Sequence, residues 1–146
     1  MITEINGDIF DTDCDVIAHG CNCVNGFGHG IAGQMAKRYP HVKEAYHSYH
    51  KNVGWVLSDV QLVGTDHGRI IANCGTQQEY YPRDRVHADY DAIERVCCKL
   101  KDFCKTNNKT LALPRIGCGL AGGDWKIVKE IYERVFDDFD VKVYFI

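Results

Sequence analysis

No stretch of this chain approaches the roughly 18 consecutive apolar residues that a membrane-spanning helix needs. The opening residues 1–8 lack the basic and apolar regions of a secretory leader, so a cytoplasmic location is expected. A basic excess is missing as well. The 17 Lys and Arg residues stand against 20 Asp and Glu, a net charge of −3, which argues against a general nucleic-acid binder. No repeat, linker or low-complexity tract divides the 146 residues, so one domain spanning 1–146 is expected, and its modest size and charge suggest a monomer. The eight cysteines lack the spacing of a disulfide scaffold and read as reduced thiols. His19, Cys21 and Cys23 lack the paired spacing of a structural zinc site, so no metal is expected, and no cofactor is implied.

What the chain does have is glycine in two loops. Val16, Ile17 and Ala18 read as a buried strand, followed by a loop at 19–30 with glycines at 20, 26, 28 and 30, and then by a helix at 31–39. Residues 110–113 form a second short apolar run, ended by Pro114. A loop with four glycines between 117 and 123 follows, and a helix at 125–136 with Asp124 as its N-cap. Glycine lets a backbone approach a ligand closely, and peptide N–H groups beside a helix N-terminus suit anions. Two such units at one sheet edge could clasp a diphosphate, because ligands of open α/β sheets bind outside the carboxyl ends of the strands.

The remaining pattern alternates strands and helices. Strands are expected at 3–5, 16–21, 59–64, 69–73, 110–113 and 141–146, the third and fourth as a hairpin about 65–68. Besides the two helices after the loops, 41–51 and 89–105 carry apolar residues at helical spacing. Residues 75–87 read as a polar loop carrying Gln77, Tyr80, Arg83 and Arg85. The order implies a three-layer α/β/α sandwich with a mixed central sheet.

With those segments in order, the chain resembles a macro domain. The likeness rests on Gly7-Asp8-Ile9, the strand ending at Asn22, the run Gly28-His29-Gly30-Ile31-Ala32, and Pro114 to Leu120. The first loop, with Arg38-Tyr39-Pro40, is similar to ADP-ribose 1''-phosphate phosphatases. The second is similar to terminal ADP-ribose protein glycohydrolases. The resemblance implies that Asp8 and Ile9 hold adenine and that Asn22 contacts the distal ribose. It also implies that Gly28, His29, Gly30, Ile31, Gly117, Cys118, Gly119, Leu120 and Ala121 hold the diphosphate, and that Tyr144 packs on the adenine face. Phe27 either covers the distal ribose or plugs the loop. Asp8 also reads as a turn residue, Asn22 as a cap on loop backbone, and Tyr144 as core.

The implied partner is ADP-ribose or its 1''-phosphate, with ADP-ribosylated protein as an alternative. For hydrolysis of the 1''-phosphate the candidates are His19, beside Asn22, and His29 as acid or base, with Asn25 placing water. The lysine and aspartate of the glycohydrolase branch have no match here: residues 74–78 contain no lysine, and Ala121 stands at the aspartate position. Binding of free or protein-linked ADP-ribose without catalysis, and de-ADP-ribosylation by another side chain, are the further alternatives. A nucleophilic Cys118 would need a thiol of lowered pKa.

Overall fold

In the computed structural model, which describes all 146 residues, the first half of the chain forms β1 (Ile2–Asn6), β2 (Val16–Asn22), α1 (Gly30–Arg38), α2 (Pro40–Asn52) and β3 (Val60–Gly64). The second half forms β4 (Ile70–Gln77), α3 (Tyr90–Asn107), β5 (Leu111–Pro114), α4 (Trp125–Val135) and β6 (Val141–Phe145). The strands make one six-stranded sheet in the order β1-β6-β5-β2-β4-β3. All neighbours are parallel except β3 and β4, the expected hairpin, which makes the sheet mixed.

The two-residue period of the strands sorts their side chains into two cores. Val16, Ala18, Ala72, Cys74, Leu111 and Leu113 face one way, against Ile93, Val96, Leu100, Val128 and Tyr132 of α3 and α4. Ile17, Cys21, Ile71 and Ala112 face the other way, against Met35 of α1 and Val42 and Tyr46 of α2. Helices therefore cover both faces, giving the three-layer sandwich. Capping agrees with the sequence: Asp89 accepts the Ala92 N–H, Asp124 accepts the Lys126 N–H, and Asn108 closes α3 in the left-handed region. Pro40 opens α2 at its first turn, where its missing N–H costs nothing.

Strand β4 runs on to Gln77, past the expected end at Asn73. Thr76 and Gln77 look like loop residues in sequence. They are held in the sheet because β2 reaches equally far, with Cys21 pairing Gly75 and Asn22 pairing Gln77 after a register shift. The β2–β5 pairing is much shorter, confined to Val16 with Leu111 and Ile17 with Ala112. Beyond those rungs β2 stays with β4 while β5 stays with β6, ending in the pair Pro114–Tyr144. The chain leaves β2 toward one edge of the sheet and β5 toward the other. That divergence is the switch point at which open α/β sheets form a ligand crevice.

Candidate functional site: a cleft between two glycine loops

Both glycine loops leave neighbouring strands at this divergence and line one cavity of about 880 Å³. From the first loop come Asn22, Gly26, Phe27, Gly28, His29, Gly30 and Ile31; from the second, Gly117, Cys118, Gly119, Leu120 and Ala121. Gly30 and Gly117 have φ of +58° and +77°, conformations that a side chain would strain. The backbone donors are the chemical feature of the cleft. The N–H groups of Gly28, His29, Gly117, Gly119, Leu120 and Ala121 donate to no protein acceptor, whereas the Cys118 N–H is taken by the Arg115 carbonyl at 3.1 Å. His29 is the N-cap of α1 and makes no side-chain cap bond, so the helix opens onto the cavity with its first donors free.

Asn22 braces the first loop. Its Oδ1 accepts the N–H groups of Val24 at 3.1 Å and Gly26 at 2.9 Å and the Tyr46 hydroxyl at 2.9 Å, and its Nδ2 donates to the Gly26 carbonyl at 2.8 Å. Only one amide hydrogen is left for a ligand. Phe27 is buried, 4.9 Å from Tyr46 and 5.6 Å from His19 between ring centroids, so it both plugs the loop and forms cavity wall. Asn25 does not line the cavity. Its Oδ1 lies 2.5 Å from His47 Nδ1 on the outer side of the loop.

His19 lies in the cavity wall but is almost wholly buried, with Nε2 2.6 Å from Asn73 Oδ1. Burial pushes its pKa down to about 4, opposed by the Asn73 hydrogen bond, so the ring is neutral at pH 7. His29 is exposed at the cavity mouth. Burial pushes the Cys118 thiol up to about 11, the opposite of what a nucleophile requires.

A smaller cavity of about 210 Å³ adjoins the first and shares Ile31, Pro114, Tyr144, Phe145 and Ile146 with it. Asp8 and Ile9 line this annex. Asp8 Oδ1 accepts the Phe10 N–H at 2.9 Å, and Oδ2 lies 3.9 Å from Arg38 Nη2, leaving acceptor capacity for a further donor. The Tyr144 hydroxyl donates to Thr12 Oγ1 at 2.9 Å, which fixes the ring in the wall of both cavities.

Among the lining residues not singled out as site residues in the sequence are Gln77, Tyr80 and Arg83. Gln77 ends β4, and Tyr80 and Arg83 follow in the polar segment after it. Only the extension of β4 alongside β2, invisible to hydrophobic periodicity, carries them to the cleft.

No family model matches the chain. It is 30% identical over 144 residues to a human protein named ADP-ribose glycohydrolase OARD1, an alignment covering 97% of this chain and 88% of that one. It is 27% identical to the ADP-ribose 1''-phosphate phosphatase of Candida albicans over the whole of both chains. The macrodomain of Mycobacterium tuberculosis DarG superposes with a TM-score of 0.87 at 28% identity, covering 99% of this chain and 97% of that one. With the sheet order, the paired loops and these relatives in agreement, the chain belongs to the macro domain family, in the branch that includes ADP-ribose 1''-phosphate phosphatases.

Proposed function

We propose that the chain binds ADP-ribose across the two cavities and removes the terminal phosphate of ADP-ribose 1''-phosphate. One observation carries the reading: six acceptor-free N–H groups, on two loops from neighbouring strands, belong to residues lining a single crevice. A diphosphate suits such a set of donors. Adenine then lies toward Asp8, Ile9 and Tyr144, and the terminal ribose beside Asn22 and Phe27.

The side chains favour phosphate hydrolysis over lysine-dependent removal of ADP-ribose from protein. Residues 74–78 offer no lysine. At Gly75 even a Cβ would come within 2.9 Å of the Val56 carbonyl oxygen. Hydrolysis needs a positioned water and a proton for the leaving oxygen. His19, neutral and tied through Nε2 to Asn73, has only Nδ1 to offer, as an acceptor. His29 stands exposed at the mouth of the cleft, where its imidazole is the side chain placed to pass a proton to the leaving oxygen. The relatives named as a phosphatase and a glycohydrolase support a hydrolase of ADP-ribose derivatives.

Calorimetry with ADP-ribose and phosphate release from its 1''-phosphate test the reading together. The expected result is binding, with release that His29→Ala cuts about 100-fold while ADP-ribose affinity holds within about threefold. Tight binding with no release makes the protein a reader of ADP-ribose. The absence of binding removes both readings.

A further inference from the structure

Residues 78–88 form a strap that ties the two glycine loops together across the cleft. At one end the Cys23 N–H donates to the Gln78 carbonyl at 3.1 Å, and the Tyr80 ring lies so close to Gly26 that a Cβ there would stand 2.7 Å from Tyr80 Cε1. At the other end the N–H groups of His87 and Ala88 donate to the Ala121 carbonyl at 2.8 and 3.3 Å. Arg83 lies between these anchors, exposed, and lines the cavity.

The other arginine of the cavity is already engaged. Arg115 Nη2 lies 3.1 Å from Glu4 Oε1, and its guanidinium stands 4.7 Å from the Trp125 ring centroid and 4.1 Å from that of Phe145. The acidic side chain of the lining, Asp124, is turned to the Lys126 N–H as the cap of α4. Arg83 has neither an ion pair nor a hydrogen bond within the protein. Its position along the cleft is fixed by the sheet. The strap leaves β4 where Gln77 pairs with Asn22, whereas Tyr144 at the Asp8 annex lies on β6, with β5 and β2 between β6 and β4. Arg83 lines the larger cavity and not the Asp8 annex, on the side of the cleft remote from Asp8.

We infer that Arg83 is the residue that recognises a phosphate carried on C1'' of the terminal ribose, and so separates ADP-ribose 1''-phosphate from plain ADP-ribose. This rests on the ADP-ribose reading above and deepens it. Two phosphates are served by backbone donors; a third, at the far end, meets the one unpaired guanidinium of the cleft. A guanidinium binds a phosphate dianion through paired charge-assisted hydrogen bonds, which a neutral amide cannot match.

The test compares wild type, Arg83→Gln and Arg83→Lys. The measurements are the Kd for ADP-ribose, the KM for phosphate release from its 1''-phosphate, and the thermal midpoint. If wild type binds without turnover, the Kd for the 1''-phosphate replaces the KM. The expected result for Arg83→Gln is a KM raised about tenfold with the Kd for ADP-ribose held within about twofold, an unchanged midpoint, and partial recovery in Arg83→Lys. An unchanged KM, or equal losses for both ligands, overturns the role of Arg83 while leaving the ADP-ribose reading intact. Failure of wild type to bind ADP-ribose overturns that reading itself, and this inference with it.

Discussion

His19 and Asn73 are opposite each other on adjacent parallel strands, and their side chains meet at 2.6 Å where neither reaches bulk water. The chain of bonds behind them settles the protonation. Gln61 Nε2 donates to the Ala45 carbonyl, which turns Gln61 Oε1 toward Asn73 Nδ2 at 3.0 Å and leaves Asn73 Oδ1 as the acceptor for His19. His19 must therefore carry its proton on Nε2 and keep Nδ1 as a lone pair. A backbone carbonyl in α2 thus dictates the tautomer of a ring in the wall of the cleft.

The same burial makes stability depend on pH. The folded ring resists protonation down to about 4, whereas the unfolded chain takes up the proton near 6.5. The unfolded state binds more protons between those values, so stability is complete above about 6.5 and falls as pH drops toward 4, by roughly 3 kcal/mol across the window. Urea unfolding at pH 7 and pH 5 should show wild type losing about 2 kcal/mol more than His19→Gln. Equal losses in the two proteins would show that the ring is not held neutral.

The elements of the fold were legible because burial writes a period into the sequence. The apolar spacing of 89–105 marked α3, and short unbroken apolar runs ended by turn residues marked β2 and β5. The two loops were legible for another reason, since glycine clusters are rare where no backbone demand exists. What the sequence hid depends on tertiary pairing. Asn22 reads in isolation either as a ligand contact or as a brace. Its four hydrogen bonds to Val24, Gly26 and Tyr46 show the brace, which uses a residue of α2 that no local pattern links to it. The strap bearing Arg83 was hidden in the same way: its position depends on how far β4 follows β2, and polar side chains give no sign of that.

Glycines in the cleft divide into two kinds that mutation can separate. A Cβ on Gly28 or Gly119 would meet nothing within 4 Å and would project into open space. A Cβ on Gly123 would stand 2.6 Å from the Gly117 carbonyl oxygen, where no real contact is tolerated. Gly119→Val should keep the melting midpoint within about 3 °C and weaken ADP-ribose binding at least tenfold, by filling the space a phosphate needs. Gly123→Ala should instead lower stability by about 2 kcal/mol, because the second loop must shift. Parallel thermal melts and titrations check the contrast. If Gly119→Val binds normally, the second loop does not approach the ligand.

At the far end, the Asp8 carboxylate sets a preference that the base itself can test. With one oxygen on the Phe10 N–H, the other, 3.9 Å from Arg38 Nη2, keeps acceptor capacity in the wall of the annex. Adenine offers an amino group there, whereas hypoxanthine offers a carbonyl oxygen that would face a negative charge with no proton between them. A buried polar group left facing the wrong partner costs far more than a lost contact. ADP-ribose should therefore bind at least tenfold more tightly than its inosine counterpart. Asp8→Asn keeps the acceptor for Phe10 but gains a donor, so it should bring the two affinities within about threefold of each other. Calorimetry of both ligands on both proteins decides the matter. A wild type that does not discriminate between them would move adenine away from Asp8.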